Sequence, residues 1–267
     1  MNDNQDAEHE LEEDAQLGKF ISEYLEGVRQ EFEARWDVWP LALQNPGPSE
    51  VSVGLLRRQC SLLVHLAQCP LLWTAEFAPI VLRCMVEVYI WLAWILEDPA
   101  PRARKFIDDG LGKEKLIIKH RTDEMEHEGM NPDDDPLCLD SKAWLETQRF
   151  SFLVDVNLSA SWSGLDTRKM AEECGCLDFY RFTYPTFSSA VHSTWNFISR
   201  FDLVPCRNPL HGFHRMPVMT FSPPSIEFFR LAGKYVAKTF KLVDSKLAIE
   251  CAVPSTYNRL FPVYRDI

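Results

Sequence analysis

Apolar positions recur at helical spacing along almost the whole chain. Leu17, Phe20, Ile21, Tyr24, Val28, Phe32 and Trp36 predict a helix over about 17–43, ended by Asn45-Pro-Gly-Pro. Leu56, Cys60, Leu63 and Ala67 form the stripe of a second helix, with Ser49 or Ser52 as its cap and Cys69-Pro70 as its end. The most apolar run, Ala78–Leu96, is broken only by Arg83 and Glu87 and predicts a central helix. Two short helices follow, around 101–109 and 113–128. Asp140 is then the expected cap of a helix through Trp144, Leu145, Phe152 and Val156. Ser161–Asp166 reads as a turn into a short capped helix, Thr167–Cys174, closed by Gly175. A long helix is expected over 177–201, kinked near Pro185. The proline-rich 203–224 has little periodicity and reads as irregular. The last helix starts at Ser225 and runs to about 248, with Ile226, Phe229, Val236, Phe240, Val243 and Leu247 on one side. No repeat and no strand series is visible. The expectation is an all-α, irregular multi-helix bundle around the central helix, one domain over 17–267 behind an acidic disordered tail, 1–16.

The central run is borderline for a membrane span, which needs about 20 mostly apolar residues. An Arg or Glu near mid-bilayer costs roughly 2.5 kcal/mol or more, and Pro79 and Asp98-Pro99 bound the run closely. It therefore reads as a core helix, with no membrane partner. At about 100° per residue, Arg83 and Glu87 lie roughly 40° apart on one face. Buried charges are costly unless paired and hydrogen-bonded. The pair therefore predicts polar groups arriving from other helices, in a structural network or in a functional site.

Charge refines this picture. The net charge is −11, but residues 1–16 hold seven acids and no Lys or Arg, so the remaining chain carries only −4. That body gives no global attraction for nucleic acid. The first residues have no basic and apolar leader pattern. The scattered cysteines, Cys60, Cys84 and Cys251 among them, therefore read as reduced core thiols of a cytoplasmic protein. From Arg102 to Arg121 there are seven Lys/Arg against three acids; from Asp123 to Asp140 there are eight acids and no Lys or Arg. This reversal marks a solvated excursion over 102–140, a mobile loop or a docking flap for a protein partner or a second copy.

Chemistry concentrates on a second face. Tyr180, Tyr184, Ser188 and His192 follow at steps of four, so their polar tips share one helix surface. That surface is either an aromatic core stripe or a site in which His192 moves protons. Glu87 can fix the tautomer of His192, and Arg83 or Arg168 can hold a phosphate or another anion. Ser188 one turn before His192 is a poor nucleophile–base pair. His120, Asp123, Glu124 and His127 share a helical face but read as solvated charges. Cys206, His211 and His214 have no second cysteine pair and match no zinc module. No phosphate-binding loop or dinucleotide fingerprint is present. No metal or cofactor is expected.

Arg83-x3-Glu87 in an apolar helix ending at Asp98-Pro99, then Trp162-Ser-Gly-Leu-Asp-Thr-Arg168-Lys-Met-Ala-Glu172, then Tyr180-x3-Tyr184-x3-Ser188-x3-His192 form an ordered pattern. It resembles the all-helical, mainly bacterial family known as domain of unknown function five-six-seven-seven, over roughly residues 50–200. The resemblance implies that Arg83, Glu87, Trp162, Arg168, Tyr184, Ser188 and His192 meet in space. A weaker, fold-level similarity links such domains to the HEPN helical bundles of bacterial toxins and anti-phage systems. Ribonuclease members of that group act without metal through an Arg-x4–6-His motif. This chain departs from it, because the nearest upstream Arg181 stands eleven residues before His192.

Two functional expectations result. One is an HEPN-like effector, of anti-phage or toxin type, that acts on RNA or another phosphate-bearing substrate. Its site would be His192, Glu87, Arg83, Arg168, Ser188 and Tyr184, and its chemistry a metal-independent, ribonuclease-like cleavage. The other is a non-catalytic helical module for a partner or for self-association, with the polar set as a structural core network. Small-ligand binding in an aromatic-lined pocket is a third, less specific, fit to the Trp and Tyr density.

Overall fold

The computed structural model describes residues 3–149, 151–159, 161–219 and 221–264, of which 3–11, 13, 14 and 264 are described by backbone alone. The described chain is all-α. Its ten α-helices are joined by short 3₁₀ turns, and one two-stranded hairpin supplies the only strands among the described residues. The expected disordered tail, 1–16, falls mostly outside the residues with described side chains; the backbone of the first helix runs from Asp3.

The centre is α3 (Ala78–Glu97), whose buried residues number fourteen of twenty. A helix with so little wet surface must be covered on most sides. The cover comes from α2 (Gly47–Ala67), α6 (Thr167–Glu173), α7 (Leu177–Val191) and α9 (Ile226–Leu247). Leu82, Met85, Ile90, Leu92 and Ile95 of α3 are fully buried, each stabilising by roughly 1.5–3 kcal/mol. By length and composition α3 passes for a membrane span, yet 72% of its most apolar window is buried inside the protein.

α1 (Asp3–Asp37) lies against α9 and α10 (Thr256–Leu260) through Phe20, Tyr24 and Val28. Phe229 of α9 packs edge-on against Phe20 and Tyr24 and stacks on Trp73 at 5.2 Å. Trp73 also donates to the Leu66 carbonyl at 2.7 Å and accepts from the Ser225 N–H at 2.8 Å. The connection between α2 and α3 is thereby tied to the start of α9. α1 stops at Asp37, before the expected 43, and Trp36 is exposed rather than packed. Neither expected serine caps α2: Ser49 donates to the Pro40 carbonyl, and the cap position is Pro46.

A polar staple invisible in the periodicity holds the same elements. Arg35 donates in fork geometry to both carboxylate oxygens of Asp244, each at 2.7 Å, and lies over the Phe240 ring at 4.2 Å. Glu31, one turn earlier, accepts the Thr256 N–H at 2.6 Å and pairs with Arg35 at 3.7 Å. Burial raises the Glu31 carboxyl above the ordinary range, against these two interactions.

The excursion after α3 forms one continuous helix, α4 (Pro99–His127), where two short ones were expected. Nothing breaks it, because Gly110 and Gly112 weaken a helix without terminating it. Gly112 instead permits close approach. Its carbonyl accepts the Asn157 N–H at 3.1 Å, and a Cβ there would meet the Asp155 carbonyl at 2.9 Å. α5 (Pro136–Thr147) is capped by Asp135, which accepts the Cys138 N–H, and not by Asp140; 151–153 is a separate 3₁₀ turn. Arg121 alone links the basic to the acidic segment, through Glu124 and Asp135, while Arg104–Asp108 and Lys113–Asp109 pair within the basic segment and Lys142 takes Asp133.

The stretch 177–201 is two helices. α7 runs through Pro185 without interruption, and the chain turns at His192–Thr194, with Ser193 at φ +46°, before α8 (Trp195–Phe201). Proline costs α7 one backbone bond, and packing on α3 holds the helix together across it. The stretch expected to be irregular contains β1 (Leu203–Pro205) and β2 (Arg215–Pro217), paired antiparallel with Val204 opposite Met216. Cys60 is a core thiol as expected, its pKa pushed up to about 12 by burial, whereas Cys84 is exposed and Cys251 only partly covered.

Gly233 marks the tightest crossing, of α9 over α1. A Cβ on it would sit against the buried Tyr24 hydroxyl and 3.0 Å from the ring carbon Cζ. Helix propensity alone favours Gly→Ala by about 1 kcal/mol. Overpacking against a ring that cannot move costs typically 1–3 kcal/mol. Gly233→Ala is therefore expected to destabilise the protein in urea unfolding. Tyr24→Phe, which removes a buried hydroxyl without a partner, is expected to restore part of the loss in the double variant.

Candidate functional site

Arg83 projects from α3 and is nearly sealed, with 8% of its surface exposed. Its Nη1 pairs with Glu87 Oε2 at 3.1 Å and its Nη2 donates to Oε1 at 3.4 Å, so the i,i+4 spacing is realised as an ion pair. Nε donates to Ser188 Oγ of α7 at 2.9 Å. The guanidinium carbon lies 3.2 Å from the centroid of the Tyr184 ring, and Tyr184 in turn stacks on Tyr180 at 4.6 Å. Guanidinium, ring and ring thus form one column, which the step of four along α7 makes possible. Edges and face of the guanidinium are both engaged, as a buried cation requires.

Glu87 stands at the rim of this column, with about a quarter of its side chain exposed. The hydroxyls of Tyr184 and of Thr167, the first residue of α6, each lie 3.5 Å from Glu87 Oε1 and 3.4 Å from one another. Thr167 is brought there by the turn before α6. Trp162 anchors that turn among Trp91, Trp94 and Phe106 at 5.0–5.9 Å, all edge-on. Ser163 Oγ accepts the Leu165 N–H, Gly164 takes φ +79°, and Asp166 caps α6 by accepting the Lys169 N–H at 2.8 Å. Each residue of the Trp-Ser-Gly-Leu-Asp stretch therefore shapes the turn or packs beneath it.

Between the turn, α3 and α7 lies an open cavity of about 430 Å³, within the ordinary size range of ligand sites. Glu87, Trp91, Trp162, Thr167, Tyr180 and Tyr184 line it, and Arg168 stands on its wall. Arg168 is exposed and makes no hydrogen bond or ion pair among the described residues. Burial, then the neighbouring Tyr184, raises the Tyr180 phenol above its ordinary value, so at neutral pH it is a neutral donor. The Trp162 indole N–H is buried and has no partner among the described residues.

Of the six residues expected to form the site, Arg83, Glu87, Tyr184 and Ser188 are joined by direct contacts, and Arg168 shares their cavity. His192 stands apart. It is the C-terminal cap of α7, its backbone N–H donating to the Ser188 carbonyl at 3.0 Å, and its exposed imidazole is not among the cavity's lining residues. Ser188 Oγ accepts from the Arg83 guanidinium, which cannot take up a proton, and its side chain contacts no His or carboxylate among the described residues. Arg181 pairs with Asp178 on the exposed side of α7. Sequence reading missed Thr167 and Trp91 as lining residues. Trp91 is one turn beyond Glu87, a position the helical phase does indicate.

Removing Glu87 leaves a sealed guanidinium without its anion. Stranding one partner of a buried pair costs about 3–5 kcal/mol. Because Glu87 is partly solvated, Glu87→Ala is expected to cost nearer 2 kcal/mol in chemical denaturation. An unchanged midpoint would show that solvent already satisfies Arg83.

No curated protein and no solved structure matches the chain. A family model matches residues 49–205, which span α2 to β1 and include every residue of the Arg83 column and the cavity named above. The match covers more than half of the chain, and this protein belongs to the family of unknown function DUF5677.

Proposed function

We propose that the cavity binds a phosphate-bearing ligand with a planar aromatic part, a single-stranded RNA nucleotide being the fitting class. The observation that carries this is the exposed guanidinium of Arg168, without a hydrogen bond or ion pair among the described residues, on the wall of a cavity that also presents the Tyr180–Tyr184 stack, Trp162 and Glu87. A cationic fork takes a phosphate in charge-assisted hydrogen bonds. Aromatic faces take a base at about 1–3 kcal/mol each. The Glu87 carboxylate and the hydroxyls of Thr167 and Tyr184 can read polar edges of that base. Arg83 acts as a positioning residue: its donors go to Glu87 and Ser188 and its face to Tyr184, which fixes the wall of the cavity.

The stronger form of this reading is an HEPN-like effector that cleaves RNA without metal, in the cytoplasm, with His192 as acid–base group. It requires the exposed imidazole at the end of α7 to meet a substrate that extends from the cavity along that helix. A second reading, an interaction module, draws on a different surface. Around and after α5, Leu137, Leu139, Trp144, Phe152, Leu153 and Leu158 are exposed, beside charges that are already paired within the chain. Large exposed apolar side chains, where they join into one patch, mark docking surfaces.

The test is titration of the purified protein with a short single-stranded RNA and with a nucleoside monophosphate, followed by tryptophan fluorescence and anisotropy. Arg168→Ala is expected to weaken binding about tenfold, the loss of one charge-assisted contact, without moving the melting temperature. Incubation with total RNA separates the two forms: cleavage abolished by His192→Ala at unchanged stability supports the effector. Binding without cleavage leaves the ligand-binding reading alone, and no binding by the wild-type protein overturns both.

A further inference from the structure

The β1–β2 hairpin gathers Cys206, His211 and His214, three metal-ligating side chains whose spacing along the chain matches no zinc module. Cys206 directly follows β1 and His214 directly precedes β2. The Cys206 N–H donates to the His214 carbonyl at 2.9 Å, which extends the ladder by one step. The two residues are therefore cross-strand neighbours, a position where side chains of one face meet. His211 is folded back onto them by the loop between: its N–H donates to the Asn208 carbonyl and its own carbonyl accepts the His214 N–H, both at 3.0 Å. Cys206 Sγ and His211 Nδ1 are 3.7 Å apart, the two imidazoles 5.5 Å apart between centroids, and one donor atom from each of the three residues lies within 4.8 Å of the others. Asn208 braces the far nitrogen of His211, its Nδ2 3.2 Å from Nε2.

From this arrangement we propose that Cys206, His211 and His214 form a zinc site with three protein ligands and an open fourth position for water or an incoming donor. With Zn–S near 2.3 Å and Zn–N near 2.0–2.1 Å, tetrahedral geometry sets the S···N separation at about 3.6 Å and N···N at about 3.3 Å. The Cys206–His211 pair already has that separation, and the remaining approach is a side-chain rotation in an exposed loop. One thiolate and two imidazoles suit Zn²⁺ better than a hard cation such as Mg²⁺ or Ca²⁺. Ligation replaces the thiol proton, and any proton on the ligating nitrogens, with the metal, so binding releases protons and weakens as pH falls. Phe213, between the two histidines, holds φ +65° although it is bulky and fully exposed. A backbone held there needs a local constraint, and a metal bonded to both neighbours supplies one. The set lies beyond residue 205, outside the segment matched by the family model, and none of its residues lines the cavity.

The purified full chain, reduced and stripped of metal, is titrated with Co²⁺ by absorbance, and then with Zn²⁺ against a chromophoric chelator. One Co²⁺ per chain is expected, with tetrahedral ligand-field bands and a thiolate charge-transfer band that Zn²⁺ displaces. Cys206→Ser should abolish the charge-transfer band. His211→Ala and His214→Ala should each raise the Zn²⁺ Kd by at least about tenfold, the lower bound for loss even of an outer-shell partner. The ligands lie in an exposed loop outside the core, so melting of the metal-free variants should match wild type. The other close thiol pair, Cys174 and Cys176 with Sγ atoms 3.3 Å apart, is the control, and Cys174→Ser should leave Co²⁺ binding intact. Absence of stoichiometric binding, or a thiolate band that survives Cys206→Ser and is lost in Cys174→Ser, overturns the proposal.

Discussion

A guanidinium almost cut off from water fixes much of this molecule. Arg83 sits in the middle of the most buried helix, and leaving it unpaired would cost several kcal/mol. Glu87 supplies the charge from one turn away, but one carboxylate cannot satisfy both the edges and the face of a guanidinium. The rest comes from α7, where Ser188 takes the third nitrogen and Tyr184 covers the face. α7 must therefore cross α3 at one register. Its first turns place Tyr180 behind Tyr184, and α6 enters with Thr167 toward Glu87. The cavity is the space these requirements leave between three helices and the Trp162 turn.

The fold holds a second buried arginine under the same rule, with the opposite outcome. Arg35 is met by Asp244 in a fork, by Glu31 and by the face of Phe240. No lining residue of the large cavity belongs to that set. It ties α1 and α10 to α9 and ends in a closed staple. The Arg83 set ends instead in a carboxylate at the rim of an open space, with the unpaired Arg168 on the same wall. Similar chemistry is closed on itself in one place and borders an open cavity in the other.

Outside the core, the chain spends its charges on itself. Arg121 of α4 reaches Asp135 across the α4–α5 turn and Lys142 of α5 reaches back to Asp133, local pairs whose fields fade over about a Debye length, ~8–10 Å at physiological salt. Leu137, Leu139 and Trp144 are exposed there beside Asp123, Glu126, Glu128 and Asp140. The hairpin at 203–217 lies apart from the buried apolar cluster and gathers Cys206, His211 and His214 by backbone pairing alone.

Periodicity and capping signals were enough for the all-α class, the central place of Ala78–Glu97, the Asp166-capped turn and the Phe229–Val243 part of the last long helix's buried stripe, though not for its ends, where Ile226 is exposed. These depend on local sterics, capping and the 3.6-residue repeat, which any stretch of chain carries within itself. The demand that Arg83 and Glu87 find partners was legible too, because the cost of a buried charge does not depend on where the chain goes. Which partners answer is a tertiary matter: Ser188 and Tyr184 lie about a hundred residues away, and Thr167 enters only because a turn sets it there. The same holds for the turn at Ser193, which divides the helix expected over 177–201. It holds for Arg35 with Asp244, and for the Cys206–His214 pairing across a hairpin whose strands are too short to show a period of two. Local propensity writes the elements; the contacts between distant elements decide which of their polar groups are satisfied and which face an open space.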